Sequence, residues 1–369
     1  DGTSTSSASG SGTIDLTAQT NVLLSILNAA TTIDVTATTG SITEQLSSGS
    51  EDANMLGTTV TLTAVTGIGA SDEDIDTDID TLVATNRTSG GIFIQEANTL
   101  SIGDGDTGVE TQGGGGSIVV RTEAGTLTVN DTVSANGAGN IRLEAQGNSA
   151  DVVLDNVVTS GSGNISVIAQ NAVQQNADAD ISTAGGSIDV QAVDAAITMA
   201  SGAESSTDAA SSAGNIRYEA GTSIALGILN ARTASDDSND ELAEQDSWGS
   251  VTLTAGSGSI TDADADDTRV DIYALDLRMS ATEDIGALGG SANAVETEVV
   301  NLAAETTSSG GINVLDDTDL TVTSIAALTV NRVGADATTS DQSDSAALSG
   351  LSSSSNGSII TQTTNGHLT

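Results

Sequence analysis

The chain contains no cysteine, no proline and no lysine, a single histidine (His367), and four aromatic residues: Phe93, Tyr218, Trp248 and Tyr273. Without Cys, neither a disulfide framework nor a thiolate metal site can form. Without Pro, every residue keeps a backbone N–H for strand pairing. With so few rings the interior must be filled by Ile, Val, Leu and Ala, which stacked short strands can do and a large globular core ordinarily does not. No run of about 18 apolar residues is present to span a bilayer. Eight Arg stand against 51 Asp and Glu, a formal charge of −43. That balance argues against nucleic acid and anionic membranes as partners, and it opposes compaction unless salt screens it or divalent cations neutralise it.

What the chain does have is a period. Gly-(Ser or Asn)-Ile recurs at Gly116-Ser117-Ile118, Gly139-Asn140-Ile141, Gly163-Asn164-Ile165 and Gly186-Ser187-Ile188, at nearly even steps. A step of about 23–24 residues is too short for a domain and suits one rung of a solenoid. Apolar residues two apart follow each phrase (Ile118/Val120, Ile141/Leu143, Ile165/Val167, Ile188/Val190), the mark of a half-buried strand. Weaker copies begin at Ile14/Leu16, Ile33/Val35, Val60/Leu62, Ile92/Ile94, Ile216/Tyr218, Val251/Leu253, Val270/Ile272, Val300/Leu302, Ile312/Val314 and Leu320/Val322. A second apolar pair follows within the rung, as in Leu127/Val129 and Val152/Leu154, so each rung holds two or three short strands. The pattern predicts an all-β chain: a parallel β-helix (β-solenoid) with rungs of about 23–24 residues, running as one continuous segment over 1–369 and forming part of a longer polypeptide.

The residue before each Ile stands at a corner, where Gly or Asn suits a left-handed backbone. Asn140, Asn164 and Asn215 are expected to form a structural ladder from rung to rung. Polar insertions at 45–57, 72–80, 103–116, 202–213, 234–247 and 335–356 are expected to leave the rungs as loops.

Two acidic runs draw attention, with a weaker third at Asp316, Asp317 and Asp319. Asp74, Asp76, Asp78 and Asp80 alternate with Ile75, Thr77 and Ile79, so an extended backbone would point the four carboxylates to one face; Asp262, Asp264 and Asp266 repeat the theme. Oxygen-rich clusters of this kind suit calcium, although neither run follows the helical calcium loop or the Gly-Gly-x-Gly-x-Asp repeat. No organic cofactor is indicated. Sugar-cleaving chemistry would need convergent carboxylates with Arg, Lys or His. Only Arg269 and Arg278 lie near an acidic run, so the chain reads as a non-enzyme. Trp248, at the end of an insertion, is the residue best suited to ligand contact, with a role covering the solenoid flank as the plainer reading. Tyr218 holds a core position. The Thr-x-Thr pairs at Thr59/Thr61/Thr63, Thr126/Thr128, Thr252/Thr254 and Thr321/Thr323 show no one-per-rung recurrence and read as solvent-facing strand residues.

Phrases such as Gly163-Asn164-Ile165-Ser166-Val167, Gly186-Ser187-Ile188-Asp189-Val190 and Gly258-Ser259-Ile260-Thr261 resemble the repeats of filamentous-haemagglutinin-like proteins, the giant secreted adhesins of bacteria. The resemblance implies a right-handed β-helix exported to the cell surface or secreted. It carries the expectation of a structural or adhesive extracellular protein, an acidic rod in a surface fibre, sheath or adhesin stalk. Its partners would be neighbouring repeats or copies of itself, cell-surface glycans or divalent cations, with no membrane span in this segment. The alternative is a carbohydrate- or surface-binding module with contacts in the inserted loops.

Overall fold

The computed structural model describes residues 4–7, 12–45, 53–210, 212–233, 247–264, 269–288, 293–344 and 346–369. These residues form short β-strands, with no α-helix among them. The strands pair in parallel, rung upon rung, as a β-solenoid. The chain divides into two compact units, Asp1–Gln170 with Val333–Thr339, and Asn171–Arg332 with Ser340–Thr369.

In the first unit the long strands Ile14–Ala18, Thr32–Ala37, Thr59–Ala64 and Thr81–Asn86 stack in register, Ile14 on Ile33, Ile33 on Val60 and Val60 on Leu82. Two short strands then take over the last of these, Leu100–Ile102 pairing with its first half and Val109–Thr111 with its second. From there each rung has three strands. Ile92–Glu96, Ile118–Thr122, Ile141–Ala145 and Ile165–Ala169 form one side. Leu127–Val129 with Val152–Leu154, and Val133–Ala135 with Val158–Ser160, form the other two. The inward columns Ile92, Ile118, Ile141, Ile165 and Ile94, Val120, Leu143, Val167 are completely buried. The two-residue alternation read from the sequence is therefore the core itself.

The second unit is built alike. Ile188–Ala192, Ile216–Ala220 and Val251–Ala255 form one side, after which two long strands, Ile272–Ala281 and Val295–Thr306, each run past a corner without a break. That uninterrupted corner shifts the alternation. Val299 rather than Val300 is buried, and Val270 is half-buried ahead of the buried Ile272.

Position 218 departs from an all-aliphatic interior, as its sequence position led us to expect. The Tyr218 ring is fully buried among the rungs, where Ser205 occupies an inward place flanked in register by Ile181 and Leu229. The small Ser205 makes room for the ring. Its hydroxyl lies 2.7 Å from the Tyr218 hydroxyl, which donates to Gln175 Oε1 at 3.1 Å. Tyr218→Phe is expected to cost about 1–3 kcal/mol in urea unfolding, because the buried Gln175 oxygen loses its donor.

Several of the predicted loops contain strands. Residues 72–80 contain Ile75–Asp78, 103–116 contain Val109–Thr111, 202–213 contain Glu204–Ser206, and 335–356 contain Thr339–Ser343 and Leu351–Ser353. Polar inward residues, Thr77 and Ser205 among them, hid these strands from a hydrophobic count. The insertions at 46–52 and 234–246 lie outside the described residues.

The repeated corner also has a different cause from the one expected. Neither Asn140, Asn164 nor Asn215 has a positive φ, and the Gly of the recurring phrase is not in the left-handed region either. Gly is needed there for close approach: a Cβ at Gly163 would stand 2.0 Å from Gly139 O, at Gly139 2.1 Å from Gly116 O, and at Gly249 1.9 Å from Gly214 O. One Asn-to-Asn step of the expected ladder is present, and Asn215 meets Ser250 instead. Asn140 Oδ1 accepts from the Asn164 backbone N–H at 2.8 Å, and Asn215 Oδ1 from the Ser250 N–H at 2.9 Å.

A longer repeat underlies the short one. Thr77 Oγ1 and the Ile79 and Asn98 N–H groups donate to the buried Glu96 carboxylate. Thr297 Oγ1 and the Val299 and Thr318 N–H groups donate in the same way to the buried Asp316. One constant offset along the chain carries Thr77 to Thr297, Ile79 to Val299, Glu96 to Asp316 and Asn98 to Thr318. The same offset carries Ser89-Gly90-Gly91-Ile92 to Ser309-Gly310-Gly311-Ile312. One corner device is thus used in both units.

Candidate functional site

The first acidic run does not converge. Asp74 is ion-paired with Arg121 at 2.5 Å, Asp76 is buried, Asp78 accepts from Asn98 Nδ2 at 3.0 Å, and Asp80 is exposed at the start of the next strand. The run is part of the rung, with Ile75, Thr77 and Ile79 filling the interior.

Glu96, beside that run, was not singled out from the sequence. Burial pushes its carboxyl up to about 7, against the opposing hydrogen bonds from Thr77, Asn98 and Ile79, with the Asp78 charge adding a little. A carboxyl raised in the folded state favours the native form below its unfolded value and withdraws that stability as pH rises through the folded value. We predict that stability falls by about 3 kcal/mol between pH 4.5 and 7 through this group, and that Glu96→Gln flattens this part of the profile. Melting curves of both proteins across that range provide the check.

The second acidic run does converge, in part. Carboxylate oxygens of Asp262, Asp264 and Asp271 all lie within 4.8 Å of one another; Asp266 lies outside the described residues. Ile260–Asp262 ends a short strand, and Asp271 immediately precedes the long strand beginning at Ile272, so two consecutive sides of the solenoid bring the group together. The Asp264 N–H donates to Asp262 Oδ1 at 2.8 Å, and Arg269 forms an ion pair with Asp264. Asp271 is 1 % exposed. Its Oδ2 accepts from the Glu296 N–H at 3.2 Å, its Oδ1 meets no donor, and the Glu296 carboxyl lies against the same group. Asp271 escaped the sequence reading because it stands alone before a strand, well past Asp264.

Trp248 is 5 % exposed. His367 is exposed, and its backbone N–H donates to Asp319. The threonines are more regular than the sequence reading allowed. Thr17, Thr36, Thr63 and Thr85 form one register column, and Thr32, Thr59 and Thr81 another. The steps between these rungs are unequal in length, which conceals the recurrence in the sequence. Asp34 and Val83 interrupt the column between them.

The arginines have a collective use that the sequence did not disclose. In the second unit the outward residues Asp189, Arg217, Thr252 and Arg278 follow one another in register, and all are buried. Residues 323–332, 340–344 and 346–350 cover them. Asp189 binds Arg217 at 2.8 Å and Arg332 at 2.5 Å; Arg278 donates to the carbonyls of Ala326 and Ala346 and pairs with Asp344. Asn215 Nδ2 donates to Thr329 O. In the first unit Arg142 donates to Val333 O, Asn140 Nδ2 to Ala337 O, and the Val333 N–H to Ser166 Oγ. The insertion predicted at 335–356 is therefore a fitted cover for much of its length. Arg278 is engaged in holding that cover.

No protein-family model matches the chain, and no curated protein or solved structure matches it. Among the described residues no helix is long and apolar enough to cross a membrane.

Proposed function

We propose that this chain is a structural segment of an extracellular bacterial surface protein of the filamentous-haemagglutinin-like kind, a β-helical scaffold within a fibre, sheath or adhesin stalk. The observation that supports this reading most is the reuse of one rung architecture and one corner device in both units, at a constant offset along the chain. Repetition of that kind suits contact with neighbouring repeats or further copies of the chain. The acidic surface fits a medium containing salt and divalent cations. Trp248, one of the two places on which a glycan-binding alternative would rest, is buried and offers no open platform.

Immunogold labelling of intact producing cells with antibody to this chain tests the reading. Label on external fibres or the outer surface is expected; label found only after the cells are opened would contradict it.

A further inference from the structure

The acidic group in the second unit has a counterpart in the first that shows what it lacks. Glu44 pairs with Leu24 as Asp262 pairs with Leu226. The Leu27 N–H donates to Asn54 O at 2.7 Å, as the Leu229 N–H does to Asp271 O at 2.7 Å. The Asp76 N–H donates to Asn54 Oδ1 at 3.0 Å, as the Glu296 N–H does to Asp271 Oδ2 at 3.2 Å. Position by position, Glu44, Asn54 and Asp76 correspond to Asp262, Asp271 and Glu296.

All three side chains differ, and the change that matters is from the Asn54 amide to the Asp271 carboxylate. In the first unit Asn54 Nδ2 donates to Glu44 Oε1 at 3.3 Å and to Ser25 O at 3.1 Å, tying the two strands together. In the second unit the corresponding atom is Asp271 Oδ1, a buried oxygen with no donor; the Asp271 carboxylate lies within 4.8 Å of carboxylate oxygens from Asp262 and Asp264 and has the Glu296 carboxyl beside it. A carboxylate among carboxylates replaces an amide donor aimed at oxygens. Burying such a group uncompensated is costly, and Arg269 offsets only one of the charges.

We propose that Asp262, Asp264 and Asp271 bind a hard divalent cation of calcium size, which occupies the place taken by the Asn54 amide nitrogen in the first unit. Three carboxylates from a strand end and the adjoining strand start provide oxygen ligands of adjustable geometry, and such an ion tolerates irregular coordination completed by water. Gly227 O, equivalent to the Ser25 carbonyl, is the backbone oxygen closest to this role by register. The inference does not depend on the scaffold function, since it rests on the two-unit comparison alone.

The test is thermal melting of the whole chain after chelation, with and without added calcium, at physiological sodium chloride to suppress general counterion effects. Calcium is expected to raise the melting temperature of the wild type by roughly 5 °C at saturation. Asp271→Asn rebuilds the first unit's solution. Its chelated form should melt above the chelated wild type, and its calcium shift should be lost. Asp262→Asn should also lose the shift, and calorimetric titration should find one fewer calcium site in either variant than in the wild type.

An equal calcium shift in wild type and both variants would overturn the proposal. So would a wild type that ignores calcium but loses stability as pH rises through about 9, the value to which burial and the neighbouring Asp262 and Glu296 charges push the Asp271 carboxyl. That result would mean a proton holds the place instead.

Discussion

Replacing Gly163 with alanine is expected to destabilise the chain by about 3 kcal/mol, although the change adds a single methyl group at a position with ordinary backbone angles. The new Cβ would lie 2.0 Å from Gly139 O on the preceding rung. Backbone cannot swing aside as a flexible side chain can, so the two rungs must separate locally and weaken the ladder bonds beside them. Gly105→Ala provides the contrast. Gly105 has φ +96° and nothing within 4 Å of an added Cβ. There the cost is left-handed strain alone, about 1–2 kcal/mol. Urea unfolding of the two variants separates these mechanisms, and a smaller loss for Gly163→Ala than for Gly105→Ala would contradict the close-approach explanation.

Asp189→Ala is expected to cost about 3–5 kcal/mol and to loosen the cover formed by residues 323–332, 340–344 and 346–350. Asp189 is fully buried and serves two guanidinium groups, Arg217 and Arg332. Its removal leaves Arg332 of the cover without its counter-charge and Arg217 beneath it with Glu219 alone, and that loss of compensation is where most of the cost arises. The effect should be visible in two ways: a lower denaturation midpoint, and proteolytic cleavage within 323–350 at protease levels that leave the wild type intact. Arg232→Ala is the comparison for losing an arginine outside the cover, because Arg232 stacks over the Tyr273 ring at 3.7 Å. It should leave cleavage of 323–350 unchanged.

The rungs were legible because Ile118, Ile141, Ile165 and their partners two residues on are pure apolar alternation at nearly constant spacing. Legibility failed wherever polar atoms point inward. Ser205 vacates space for Tyr218, and Glu96 and Asp316 satisfy corner N–H groups from inside, so strands at 75–78 and 204–206 resembled loops. The longer repeat was obscured because its signature is a hydrogen-bonding role that Glu96 and Asp316 fill with different side chains. The cover was invisible for another reason. A stripe of Asp189, Arg217 and Arg278 spaced by whole rungs reads as ordinary solvated charge until register places them in one column. The cluster at Asp262 and Asp264 could be suspected from local density, but Asp271 could be added only once the turn of the solenoid was known.

Successive rungs lie directly on one another in parallel register, and the absence of native cysteine allows a clean test of that stacking. Glu110, Ser134 and Thr159 are outward residues in consecutive register on one side of the first unit. Adjacent rungs lie about 4.8 Å apart and alternate rungs about 10 Å, while a disulfide needs Cα atoms about 4.4–6.8 Å apart. Under mild oxidation the pair Ser134→Cys with Thr159→Cys should close a disulfide, and Glu110→Cys with Thr159→Cys should not. Efficient closure of the second pair, or failure of the first in a protein that still folds, would contradict the stacked register.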